Sequence, residues 1–352
     1  MDRRDKCRRR LFASANVEEE QTHSLSFHSS ALRDSALAPS TLRTYNKNLL
    51  KFLRFADLDE HSFLHIPVSE LDRLLSEFIE HLHSVGGSFD YASQALNAVG
   101  FRRPAVRLFL GESRLRLRGW ARTRHSSSHP PLTWELAVVF AVLMSKWGHH
   151  SCAVGLLLSF DCYLRVSELV HLQRADVVML NDPRMGRAHQ GMALRLAKTK
   201  TGVNQSVDVR SPAVARLLQF WMQHTEEDAR DTDLVFPFSP SRFRKLIRAI
   251  CSVLDLDDIP YVPHSLRHGG ATADYMRGDN IDQIMFRGRW RSMESARRYI
   301  QQGKAMLAMR RIPKGLNDLG QSLEPLIVEV LSIMVVQVPS AASIHRHKVR
   351  FH

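Results

Sequence analysis

Apolar residues recur at helical spacing through most of this chain, and in a single region that spacing gives way to alternation. In MALRLAK (Met192–Lys198) and NQSVDV (Asn204–Val209) apolar and polar residues take turns, with Gly202 between the two runs. The change of period predicts one β-hairpin in an otherwise helical protein, with VVML (Val177–Leu180) a candidate third strand.

The helical pattern falls into two blocks. In the first, Leu42, Tyr45, Leu49, Phe52 and Ala56 share a stripe behind a candidate N-cap at Ser40, and Leu71, Leu74, Leu75, Phe78 and Leu82 share another behind Ser69. A third helix is expected over Tyr91–Val99, so residues 37–124 read as a small all-helical bundle. Residues 1–36, with RRDKCRRR, EEE and a Ser/His-rich stretch, lack such periodicity and are expected to be a disordered arm. HSSSHPP, within 125–131, reads as a linker. Thr133 is a candidate N-cap for the second block, 132–311, which begins with the apolar run WELAVVFAVLM. Helices are expected there over 164–172, 213–224, 240–254, 265–277, 281–287 and 292–302, with Ser211 a candidate N-cap and Pro212 in the first turn of the second of these. Residues 312–325, with Pro313, Gly315, Gly320 and Pro325, look loop-like and precede an apolar run, Pro325–Val338, in a tail of 312–352.

Charge narrows the partners. Against 36 acidic residues stand 49 Lys and Arg, a formal net charge of +13 over 352 residues. More than half of that excess is local. Arg102, Arg103, Arg107, Arg114, Arg116, Arg118, Arg122 and Arg124 face one acid, Glu112, and interleave with Leu108, Phe109, Leu110, Leu115, Leu117 and Trp120. A merely solvated helix face is one interpretation. The bias of Arg over Lys favours the other, a surface that follows phosphates, because a guanidinium fork matches a phosphate. The cysteines Cys7, Cys152, Cys162 and Cys251 form no Cys-x-x-Cys pair, so neither a zinc ribbon nor a disulfide scaffold is expected. The basic start lacks the apolar segment of a signal peptide, and no uncharged apolar run reaches about 18 residues, so no membrane partner is expected.

Four segments of the second block carry chemistry: LRVSEL (164–169), KTKTG (198–202), PHSLRHGGAT (263–272) and RGRWRSMESARRYI (287–300). Phosphodiester transfer without a metal needs fixed cations around the phosphorus, a nucleophile, and an acid for the leaving oxygen. Arg, Tyr and Lys or His supply these roles.

In these segments the chain resembles the tyrosine recombinase family, the phage integrases and Cre/Xer-type enzymes, over about residues 38–311. Arg165 matches the family's first catalytic arginine, with Glu168 at its acidic position. Lys200 matches the hairpin lysine, although Lys198 competes with it. His264 and Arg267 match the His-x-x-Arg box, Trp290 stands where members carry His or Trp, and Tyr299, nine residues on, matches the nucleophile. His268 is expected to support them. The resemblance implies a mainly α fold, with an N-terminal SAM-like core-binding bundle and a mostly helical catalytic domain carrying a small antiparallel sheet. It implies a DNA strand transferase, of the kind mobile elements carry, that cuts and rejoins double-stranded DNA through a 3′-phosphotyrosyl intermediate. No cofactor or metal is implied. Four protomers on a pair of sites are expected, as is an intracellular, DNA-associated location: nuclear in a eukaryote, otherwise cytoplasmic or nucleoid. The apolar tail either packs on its own domain or is passed to a neighbouring protomer, as the resemblance allows. A catalytically lapsed DNA-binding descendant and a type IB topoisomerase remain alternatives; a metal-dependent nuclease would need clustered acids or histidines. Three departures from the family stand out. Cys162-Tyr163 replaces small residues before the first arginine, Gly269-Gly270 replaces bulkier ones in the His-x-x-Arg helix, and Arg289 and Arg291 make the flanks of Trp290 more basic than usual.

Overall fold

The computed structural model describes residues 31–124, 129–180, 182, 191–199, 202–225 and 229–337. The chain divides into two compact units, Met1–Ser127 and Ser128–His352.

The first unit is a bundle of α1 (Ala31–Ser35), α2 (Pro39–Ala56), α3 (Glu60–His65), α4 (Val68–Ser84), α5 (Phe89–Arg102), a 3₁₀ turn (Pro104–Phe109) and α6 (Gly111–Thr123). Its core holds the residues that shared the predicted stripes, among them Leu49, Phe52, Leu71, Leu75, Phe78 and Leu82. Helix α2 starts at Pro39, whose ring suits the first helical turn, and not behind Ser40. Residues 31–35, expected in the arm, are helical, and Asp34 accepts a 3.4 Å bond from Arg102. Residues 1–30 lie outside the described residues.

The second unit contains α7 (Trp134–Lys146), α8 (His150–Asp161), α9 (Val166–Leu169), β1 (Val177–Val178), β2 (Met192–Thr199), β3 (Gly202–Val209), α10 (Pro212–His224), α11 (Pro240–Val253), α12 (Pro263–Met276), α13 (Ile281–Gly288), α14 (Met293–Arg297), α15 (Gln302–Met309), α16 (Lys314–Leu323) and α17 (Ile327–Gln337). The alternating runs form the antiparallel hairpin, Met192 opposite Val209, and β1 adds the third strand, Val177 opposite Leu194. Thr133 and Ser211 cap α7 and α10 as expected, each accepting a 3.4 Å bond from the backbone N–H three residues on. Within the expected linker, His129 Nδ1 lies 3.1 Å from the Pro260 carbonyl and Pro131 is buried, so this end of the segment belongs to the second unit.

Three sequence expectations change here. The helix over 164–172 shrinks to Val166–Leu169, because Tyr163 is left-handed (φ 48) and Arg165 is extended as the N-cap. The expected helix 292–302 is broken at Tyr299. The Tyr299 carbonyl accepts from the Thr272 hydroxyl at 3.2 Å, and the Gln301 amide donates to that hydroxyl oxygen at 3.1 Å. Those backbone groups bond to α12 in place of a helical turn. The loop expected over 312–325 is largely helix α16. Gly320 serves close packing there: a Cβ on it would lie 2.4 Å from the Glu135 carbonyl oxygen of α7.

The tail beyond lies on its own unit. α17 packs on α7, α8 and α10, and Ile327 and Leu331 are buried in the core. The helical run Lys314–Gln337 is long and apolar enough, by length and composition, to cross a membrane, contrary to the expectation that no segment would be.

Candidate active site

Helix α12 supplies most of the site. Pro263 occupies its first turn, His264 follows, and Arg267 and His268 sit one turn later on the face turned toward Tyr299. The rings of His264, His268 and Trp290 surround Tyr299, with centroids 5.2, 4.8 and 4.6 Å from its own. The Arg267 guanidinium carbon lies 4.7 Å from the Trp290 ring and 5.2 Å from the Tyr299 ring. His268 Nδ1 is 3.3 Å from the Tyr299 carbonyl oxygen, which Thr272 also holds, so both residues fix the backbone of the tyrosine.

Arg267 is fully buried. Its Nη1 donates to the Tyr163 carbonyl, and its Nη2 donates to the Gly288 carbonyl at 2.5 Å. Burial, then the neighbouring Arg165 and Arg289, pushes its pKa down, yet a guanidinium keeps its charge near neutrality. Arg165 is the N-cap of α9. Its Nη1 pairs with Glu168 Oε1 at 2.5 Å, and its amide donates to Glu168 Oε2 at 2.9 Å. Burial raises the Glu168 pKa, but Arg289, the Arg165 amide and guanidinium, and Arg267 outweigh it and hold the carboxyl below its ordinary value. His264 and His268 are both pushed down to about 4, chiefly by burial, so each is neutral at pH 7.

Two buried donors beside Tyr299, Arg267 Nε and Trp290 Nε1, find no acceptor among the described residues. Buried donors are ordinarily satisfied. Unmatched N–H groups on residues packed against a tyrosine are donors that an incoming oxyanion can use.

The expected residues Arg165, Glu168, His264, Arg267, His268, Trp290 and Tyr299 thus come together. Lys200 lies outside the described residues. Among the other tyrosines of this unit, Tyr261 is buried against Phe140, and Tyr275 is exposed near the far end of α12. The arginine-rich segment divides. Arg102 is buried and donates to Asn46 at 2.8 Å, and Arg103 donates to the Phe63 and Ile66 carbonyls at 2.8 and 3.1 Å, so these two hold the bundle together. Arg116 pairs with Glu80 at 2.8 Å and Arg124 with Asp90 at 3.4 Å. Arg114 reaches the Arg107 carbonyl, and Arg107, Arg118 and Arg122 are exposed.

Sequence reasoning passed over an exposed basic face on α11, formed by Arg242, Arg244, Lys245 and Arg248; their helical spacing in SRFRKLIR was the available signal. It noted the departures near the site without their cause. A Cβ on Gly270 would lie 2.1 Å from the Phe160 carbonyl oxygen and 2.7 Å from the Tyr163 ring, and one on Gly269 would lie 2.0 Å from the Leu132 carbonyl oxygen. The large Tyr163 ring packs on Gly270, while Gly269 lies against Leu132 and Phe160. The Tyr163 hydroxyl donates to Asp274, a buried carboxylate that Arg287 also approaches at 3.6 Å.

The mostly helical fold with its small antiparallel sheet is that of the tyrosine recombinases. The model of the phage integrase family matches residues 145–306. Among solved structures, the chain is similar to the Tn1549 transposon integrase in complex with circular intermediate DNA, at 13% identity and a TM-score of 0.51, covering 76% of this chain and 98% of that one. It is also similar to the XerH site-specific recombinase bound to difH substrate, at 16% identity and a TM-score of 0.49, covering 87% of this chain and 93% of that one. No curated protein sequence matches the chain.

Proposed function

We propose that the protein cuts and rejoins double-stranded DNA, with Tyr299 forming a covalent 3′-phosphotyrosyl link, as a site-specific recombinase or integrase of the kind mobile elements carry. The observation that carries this is the packing of His264, Arg267 and Trp290 around Tyr299, with Arg165, held by Glu168, near Arg267, and with unmatched donors on Arg267 and Trp290. The two arginines neutralise the non-bridging oxygens as charge builds on the phosphorane. Trp290 Nε1–H donates to the same phosphate. His264, neutral at pH 7, takes the phenolic proton as the tyrosine oxygen attacks phosphorus. The bond to the 5′ oxygen breaks, and that oxygen needs a proton, a role the resemblance gives to Lys200. The phosphotyrosyl link keeps the bond energy, so rejoining to a new 5′ hydroxyl reverses the step. Exposed arginines of the first unit and the basic face of α11 follow the duplex phosphates. A pair of recombining duplexes needs four cuts, hence four protomers.

The test is incubation with nicked suicide duplexes followed by denaturing gels. The parent is expected to form a covalent protein–DNA adduct, and Tyr299→Phe to bind the same duplex and form none. Binding without any adduct in the parent would identify a lapsed, DNA-binding descendant. An adduct that persists in Tyr299→Phe would move the nucleophile elsewhere.

A further inference from the structure

The carboxylate of Glu168 is buried between two guanidinium groups from distant parts of the chain. Arg165 reaches Oε1 at 2.5 Å, and Arg289 reaches Oε2 at 2.9 Å. Arg289 is an unusual residue for its place. It ends α13 with φ 56, a left-handed conformation that a long L side chain rarely adopts. Its side chain is buried and donates to the carbonyls of Cys162, Tyr163 and Arg287 at 3.4, 3.2 and 3.1 Å. The Tyr163 carbonyl is the one that also accepts from Arg267. One guanidinium therefore touches the partner of Arg165 and the anchor of Arg267.

We infer that Arg289 is a positioning residue that sets both clamp arginines, and this rests on the DNA-cleavage reading above. A buried carboxylate must be neutralised. Were Arg165 its sole cation, Glu168 would draw that guanidinium into a closed pair and away from a substrate phosphate. Arg289 and the Arg165 amide occupy Oε2. Arg165 then gives Glu168 a single Nη1 bond and keeps its other donors for a phosphate. Three arginines against one carboxylate leave a local excess of two positive charges. That excess matches the two negative charges of a phosphorane.

The test uses the full-length protein and nicked suicide duplexes. Arg289→Gly suits the left-handed backbone and removes only the side chain. Melting temperature is expected to fall, because Glu168 and three carbonyls lose a buried partner; at a temperature where the variant is still folded and binds duplex like the parent, the rate of adduct formation is expected to be about ten- to a hundredfold lower, the usual scale for losing a group that orients a reactive one. Guanidinium chloride at about 10 mM, well below denaturing levels, is expected to enter the vacated space and recover part of the rate. Arg289→Lys keeps the charge without the fork, so it is expected to remain slow and insensitive to added guanidinium. An Arg289→Gly rate within about twofold of the parent's would overturn the inference, as would a loss of rate that tracks a loss of folding and does not respond to guanidinium. A parent that binds duplex but forms no adduct sinks the cleavage reading itself, and this inference with it.

Discussion

His264 and His268 stand against Tyr299 with pKa values pushed down from 6.5 to about 4, chiefly by burial. Below pH 6.5 the unfolded chain takes up protons that the folded protein refuses until about pH 4. Their effect is therefore a loss of stability as pH falls from about 6.5 toward 4, with none above that window. Melting scans across that range are expected to fall more steeply for the parent than for a His264→Gln, His268→Gln double variant; equal slopes would refute the burial argument. Arg267→Lys keeps a charge but loses the fork that bridges the Tyr163 and Gly288 carbonyls, so its adduct rate is expected to drop by the equivalent of about 2.7–4 kcal/mol in the transition state. A fully active lysine variant in the gel assay would remove Arg267 from the clamp. His264, Arg267, Trp290 and Tyr299 were named through the resemblance to the tyrosine recombinases, and the structure brings them together. Arg289 stood out only as an extra basic residue beside Trp290 and Thr272 not at all, since their contacts come from a left-handed backbone and from a carbonyl captured across helices, neither of which leaves a periodic trace.

Elements were legible where one physical cause dominates. The hairpin followed from its alternation, and the helices capped by Thr133 and Ser211 followed from their caps. Where backbone groups are captured from another element, local pattern misleads: the break at Tyr299 exists because α12 takes its carbonyl. Gly320 misled in the opposite sense, since a residue usually read as punctuation is the point at which α16 meets α7. Gly320→Ala is accordingly expected to destabilise the second unit by about 1–3 kcal/mol, as overpacking does. A melting temperature equal to the parent's would show that α16 can shift freely.

For the whole molecule, the arginines of the first unit now have distinct expected effects. Replacing Arg107, Arg118 and Arg122 by Ala is expected to weaken binding to every duplex and to lower the salt slope by about 0.9 for each phosphate that is no longer neutralised. Arg102→Ala should instead lower the melting temperature, because that side chain is buried against Asn46; an unchanged slope in the triple variant would return the surface to simple solvation. The tail seals its own unit, with Ile327 and Leu331 each 1% exposed. Truncation after Arg311 is expected to melt the second unit, and a truncated chain with the parent's melting curve would put the tail's contribution on a neighbouring copy instead.

The interlock of Tyr163 with Gly270 has a historical consequence. Tyr163 trimmed to a small residue would leave a void, and Gly270 enlarged alone would strike the Phe160 carbonyl and the Tyr163 ring, so each single step passes through an impaired intermediate. Descendants of this chain are in effect locked into the arrangement. Sequences that carry the pair should be traceable as one lineage, set apart from relatives with a small residue before the first arginine, by correlated change at positions more than a hundred residues apart.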